Sequence, residues 1–270
     1  MLRIGVLAGG TSRTELSQQL SPLGRIDWCE RPDALLGRAI DGGLDAVVTG
    51  VEERSGGSVA PVIVDLAAYR PTLPVVVYAR INRATLDHLL AVCALGLRLE
   101  CAARPFARLA PLLQYMRSSA YRPGVVPLLL HHVMPLVPST LRTFVALGIL
   151  SAPARRGVED VARWSGVSPR TVERWLQQAG WPAARVVLRS FSALDAVWLM
   201  TEYGWAARRV QLIRHFAHPS GVTRLLARYA GTRPGTVVLD GGFPTALEHV
   251  LHVLVPRANR SGLAEAGLSR

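Results

Sequence analysis

Strand-like and helix-like runs alternate along residues 1–118, and no other property of this 270-residue chain constrains its fold as tightly. Periodicity predicts strands at Arg3–Ala8, Ile26–Cys29, Asp45–Thr49, Leu73–Tyr78 and Leu97–Ala102. Helices are predicted at Thr14–Leu20, Ala34–Ile40, Val59–Tyr69, Ala84–Ala94 and Ala107–Arg117. Such alternation argues for a parallel sheet with helices on both faces. Central strands of such a sheet are near-continuously apolar, as Ala46-Val47-Val48 and Val75-Val76-Val77 are. The expectation is an α/β N-terminal domain built on five parallel strands.

A different pattern governs Val158 to Leu176. It reads as a helix, a tight turn at Ser165-Gly166-Val167, and a second helix opened by Ser168 and Pro169. Serine is a favoured N-cap, because its oxygen accepts from an otherwise unpaired backbone N–H. Proline at the first helical position sacrifices no hydrogen bond. Val172, Trp175 and Leu176 then share one apolar face, and Arg170, Thr171, Glu173, Arg174 and Gln177 point elsewhere. A short helix packed on one side and offering Arg, Thr and Gln on the other suits a DNA major groove.

Charge follows the same division. The chain carries a net +12, with 31 arginines and no lysine. Residues 1–118 hold 13 Arg and 11 acids, and residues 151–270 hold 16 Arg and 8 acids. The basic surplus sits with the helical half, as phosphate binding requires. A basic surface that binds nothing in particular is the alternative.

Cys29, Cys93 and Cys101 have no metal-ligand spacing, and an odd count without a secretory leader predicts a reduced, cytoplasmic setting. The opening residues read as a first strand and not as a signal peptide. No apolar run approaches the roughly 18 residues that span a bilayer, so no membrane association is expected. Residues 119–153 read as a helical connector. Tyr121-Arg122-Pro123-Gly124 forms its opening turn, and Ser139-Thr140 caps a helix through Phe144 and Leu147. That helix is expected to pack on the N-terminal domain or on a second subunit. His131 and His132 are adjacent, so on a helix their rings diverge by about 100°, which is poor metal geometry. Residues 237–270 read as a turn at Asp240-Gly241-Gly242, a last helix over Pro244–Leu254, and a frayed end from Ala258.

The order of elements over residues 1–118 resembles the receiver domain of two-component response regulators, a flavodoxin-like fold. The matching segments are Leu44-Asp45-Ala46-Val47-Val48, Leu73-Pro74-Val75-Val76-Val77 and Arg104-Pro105-Phe106. The departures fall on the chemistry. Ala8, Gly9 and Gly10 stand where a receiver keeps its acidic pair, Gly50 where it keeps the phospho-acceptor, Ala79 at the switch hydroxyl and Arg104 at the lysine. Without those carboxylates the resemblance implies neither a Mg²⁺ site nor phosphoryl transfer. Glu52 and Glu53 lie nearby and read as solvated loop acids. Gly9-Gly10-Thr11-Ser12 reads as a strand-to-helix turn, with an anion cradle as the alternative.

Residues 154–236 resemble the AraC/XylS family of transcription regulators, in which one long helix joins two helix–turn–helix units. Ala162, Gly166 and Ser168 match the first unit. Ala196, Leu199 and Met200 match the linker helix, and Phe216, Ser220, Arg224, Gly231 and Pro234 match the second unit. The departures are His215 for the usual glycine, Gln211 for a small alanine and Val222 for an aromatic residue. The resemblance implies two recognition helices in successive major grooves. In the first, Arg170, Thr171 and Arg174 are candidates for base or phosphate contact, and Ser168 for donation to phosphate from the helix N-terminus. In the second the candidates are Ser220, Thr223, Arg224 and Arg228, with Arg214 also offered. Arg174 and Arg224 have an alternative role as bridges to acids within the domain. Trp164, Trp175, Trp181 and Trp198 read as core residues.

The expectation is a sequence-specific regulator that binds double-stranded DNA, with a non-phosphorylatable input domain. A homodimer, and a regulatory protein or small ligand at the N-terminal domain, are left open. No cofactor is expected. The alternative is an interaction scaffold with only non-specific DNA affinity. No Ser/His/Asp, Cys/His or paired-carboxylate pattern supports an enzyme.

Overall fold

The structure, a computed structural model, describes residues 1–7, 13–52, 56–94, 99–103, 109–117, 124–218 and 220–256. The glycine loop at 8–12, Glu53, the 104–106 segment, the 121–123 turn and the tail from 257 lie outside the described residues. Two compact units divide the chain, Met1–His131 and His132–Arg270.

The first unit contains the five parallel strands β1 (Leu2–Leu7), β2 (Gly24–Cys29), β3 (Ala46–Thr49), β4 (Val75–Ala79) and β5 (Leu99–Ala103), in the order β2-β1-β3-β4-β5. Each strand is followed by a helix: α1 (Arg13–Leu20), α2 (Pro32–Ile40), α3 (Ala60–Tyr69), α4 (Arg83–Ala94) and α5 (Leu109–Met116). The valine runs place β3 and β4 at the centre, where both sheet faces are covered and neither strand has an exposed residue. On one face Ile4, Val6, Ala46, Val48, Val76 and Tyr78 pack against Leu16, Leu20, Leu109, Leu113 and Met116 of α1 and α5. On the other, Gly5 makes room for the neighbouring layer. A Cβ there would stand 2.5 Å from Leu44 Cδ1 and 2.8 Å from Leu35 Cδ1.

Tyr78 shows how the sheet accepts a polar group. It is 2 % exposed, its hydroxyl donates to Glu15 Oε1 at 2.6 Å, and it accepts from Gln19 Nε2 at 3.0 Å. Burial raises its pKa above the ordinary 10, and the hydrogen bond from Gln19 opposes part of that rise. The folded state therefore binds this proton more tightly than the unfolded chain. The resulting stability is complete below about pH 10 and is lost as pH climbs through the raised pKa. Tyrosinate absorbance should show a late ionisation, and Tyr78→Phe should abolish it. A late step that survives the substitution would assign it elsewhere.

Helix α6 (Val126–Val133) carries the chain from one unit to the next, and α7 (Arg142–Leu150) belongs to the second. This differs from a connector over 119–153. Helix α7 starts at Arg142 with Leu141 at its cap, and that cap residue makes no side-chain hydrogen bond. It is buried from Phe144 to Leu150 and packs on a long helix, α10 (Ala184–Glu202), within its own unit. Gly148 permits that approach, since a Cβ would come within 2.6 Å of Leu188 Cδ2.

The second unit is helical. Around α10 stand α8 (Val158–Trp164), α9 (Pro169–Gln178), α11 (Ala207–Ile213), α12 (Ser220–Tyr229) and α13 (Gly242–Leu254). A helix apolar on nearly every side must be buried on nearly every side, and α10 is buried at every position from Ser190 to Val197. Helix α13 begins two residues before the expected Pro244, after Gly241 at φ 92°. Trp198 meets its Phe243 edge-on, with ring centroids 5.0 Å apart. The hydroxyls of Thr232 and Thr236 donate to Asp240 Oδ2 at 2.6 and 2.7 Å and fix the preceding turn.

Candidate nucleic-acid interface

Helix α8 ends because the chain turns left-handed at Gly166, φ 75°. The Gly166 N–H donates to Arg163 O at 3.1 Å, and the Val167 N–H donates to Ala162 O at 3.1 Å. This pair of reversed bonds satisfies the last carbonyls and stops the helix. Two residues later Ser168 restarts it. Its Oγ accepts from the Thr171 N–H at 3.1 Å and lies 2.9 Å from Thr171 Oγ1. Val172 and Leu176 are fully buried, which anchors α9 by about 1.5–3 kcal/mol for each side chain. Trp175, expected on the same face, is half-buried.

The other face of α9 borders an open concavity of about 450 Å³ lined by Ser168, Arg170, Thr171, Glu173, Arg174 and Gln177. Ser168, Arg170, Arg174 and Gln177 are exposed, and Thr171 is half-buried. Among the described residues, neither Arg170 nor Arg174 pairs with a carboxylate, so the sequence alternative of an internal bridge does not apply to Arg174. The structure thus brings together all four residues expected on this helix.

Glu173 was not assigned a role by the sequence. Both of its carboxylate oxygens accept from the Ala184 N–H at 3.2 Å. Ala184 opens α10, whose cap residue Ala183 offers no side-chain acceptor. Glu173 supplies the missing acceptor and ties α9 to the start of the long helix. The signal was legible in principle: a helix opening on two alanines needs an acceptor from elsewhere.

The second helix pair turns on a different residue. The chain turns at His215, φ 52°, with His215 N–H to Leu212 O at 3.3 Å and Phe216 N–H to Gln211 O at 2.9 Å. This is the same reversed-bond pattern as at Gly166, with histidine at the left-handed position. Gln211 Nε2 donates to Phe216 O at 2.9 Å, so the glutamine braces the turn from the side chain. Helix α12 buries Val222, Leu225 and Leu226 and exposes Ser220, Thr223, Arg224 and Arg228.

One arginine of this pair is held by a buried acid, and a second bonds within its own helix. Arg214 is a correction to the sequence expectation, because its Nε and Nη2 bond Asp195 Oδ2 and Oδ1 at 2.6 and 2.9 Å. Arg224 folds back on its own helix, with Nε to Ser220 O at 3.3 Å and Nη2 to Ser220 Oγ at 3.2 Å. Its partner is thus a serine and not an acid. Arg228 lies over the Tyr229 ring, with Cζ 5.5 Å from the centroid.

His215 carries a local cost that glycine would not. His215→Gly is expected to stabilise the fold by about 0.5–1 kcal/mol, the left-handed penalty less glycine's extra chain entropy. Thermal unfolding should shift upward by roughly 1–4 °C. A lower melting temperature would show that the imidazole earns its place by contacts.

No family model, no curated protein and no solved structure matches this chain. No helix among the described residues is long and apolar enough to cross a membrane. Among those residues no group of three or more His, Cys, Asp or Glu is placed to hold a metal ion.

Proposed function

We propose that this chain is a sequence-specific DNA-binding transcription regulator of AraC type, with a receiver-like input domain that switches without phosphorylation. The observation that carries the reading is the α9 face. A short helix, anchored by Val172 and Leu176, turns two uncommitted guanidiniums, a serine and a glutamine toward solvent around one concavity. Arginine and glutamine are the side chains that match guanine and adenine edges in the major groove.

Further support comes from the spacing device. Helix α10 has 19 residues and so runs about 28 Å. It has α9 tied to its first residue through Glu173 and leads into α11 at its end. A length of that order is commensurate with the roughly 34 Å between successive major grooves on one side of a duplex. The 16 Arg and 8 acids of residues 151–270 supply the field that draws such a surface to phosphates. For the input domain, the strand order β2-β1-β3-β4-β5 is the flavodoxin-like order of a receiver. Gly50 after β3 and Ala79 at the end of β4 offer neither a carboxylate nor a hydroxyl for phosphoryl chemistry.

A scaffold with generic DNA affinity is the second reading, favoured by the engagement of Arg214 with Asp195 and of Arg224 with Ser220. Gel-shift titration of the full chain against genomic fragments, at low and moderate salt, separates the two. A regulator retains preference for particular fragments as salt rises. Generic basic binding fades on all fragments alike, and that outcome would overturn the proposal.

A further inference from the structure

Among the described residues only Arg155 and His215 hold a positive φ without being glycine, each at 52°. They lie 60 residues apart in sequence, and they touch. Arg155 Nη1 donates to His215 O at 3.4 Å and to Arg214 O at 3.5 Å. These carbonyls belong to the C-terminal end of α11, where a cation is favoured by the aligned peptide dipoles. The same guanidinium lies over Phe216, its Cζ 3.6 Å from the ring centroid.

Arg155 holds this position against local costs. Its backbone is left-handed at the end of the 3-10 turn Ala152–Ala154. Its Nε–H is buried without a partner. Burial, with a contribution from Arg189, lowers its pKa. An unfavourable backbone, a stranded donor and a neighbouring like charge persist together only where other contacts over-determine the site. Each of the polar and ring contacts named for Arg155 goes to the turn between α11 and α12.

We propose that Arg155 is a positioning residue: it latches that turn through Phe216 and the carbonyls of Arg214 and His215, and so sets where α12 presents Ser220, Thr223, Arg224 and Arg228. The consequence for DNA rests on the reading given above. The latch needs a planar cation that lies flat on the Phe216 ring while one nitrogen reaches both carbonyls, which arginine provides and lysine does not.

The test uses the full chain carrying Arg155→Gln or Arg155→Lys, with two readouts. In hydrogen exchange of the free protein, Arg155→Gln should speed exchange across residues 210–229 by about tenfold or more, with α8 and α9 nearly unchanged. In hydroxyl-radical footprinting on a duplex selected by the unsubstituted protein, Arg155→Gln should lose protection over one half of the site and keep the other. Arg155→Lys should fall between. Unchanged exchange across 210–229 overturns the latch, and so does acceleration spread evenly over 158–229, which marks a general structural role. If the unsubstituted protein gives no sequence-preferring footprint, the DNA reading falls, and the exchange pattern alone decides for or against the latch.

Discussion

Arg174→Ala and Arg170→Ala should each weaken binding to a preferred duplex by about 1–3 kcal/mol, roughly 5- to 150-fold. Neither guanidinium is spent on a carboxylate among the described residues, so truncation leaves no buried charge behind. Thermal stability should therefore move by less than about 0.5 kcal/mol, the usual range for exposed sites. The two chemical roles open to each arginine differ in their signatures. A base-reading arginine, once removed, relaxes preference at one position of the site. A phosphate-gripping arginine, once removed, lowers affinity on all sequences and reduces the salt slope by about one. Competition against single-base variants of a selected site, repeated across a salt series, assigns each residue. Full retention of affinity in the double substitution would remove α9 as the reading helix.

The sheet was legible because its signal is local. Val75-Val76-Val77 has to be covered on both faces, and the five strand–helix repeats leave few ways to arrange that. The α8–α9 pair was legible for the same reason: Gly166, Ser168 and Pro169 each dictate one backbone event within four residues. What escaped the sequence is contact between residues distant along the chain. Asp195 and Arg214 lie 19 apart, and Arg155 and His215 lie 60 apart. No periodicity carries such pairings, since each exists only once α10 and its neighbours have packed. Helix α7 was legible as a helix but not in what it packs against. A short apolar helix after a proline-rich stretch reads as a connector, and only the burial of Phe144 through Leu150 shows it to be core. His215 sits between these cases. The resemblance alone put it where a glycine is usual, and its backbone is left-handed at a helix end.

Arg214→Ala should cost about 3–5 kcal/mol of folding stability, the range found when one partner of a buried pair is removed. Asp195 lies in the middle of α10 at 4 % exposure and takes both guanidinium bonds. Its buried carboxylate loses both charged hydrogen bonds once the arginine is gone. Arg214 is 20 % exposed and can turn toward solvent if the carboxylate is removed, so Asp195→Ala should cost less than Arg214→Ala. Replacing both by apolar residues of similar volume, Asp195→Leu with Arg214→Met, should recover most of the loss, because no unpaired charge remains. Urea unfolding of the single and double variants measures the coupling directly. The order matters for function as well as for folding. If the pair serves mainly to hold α11 against α10, the apolar double variant should fold well yet grip the α12 half of a duplex less firmly. Equal losses in the two single variants, or a double variant no better than either, would show that the pair is not what fixes this end of α11.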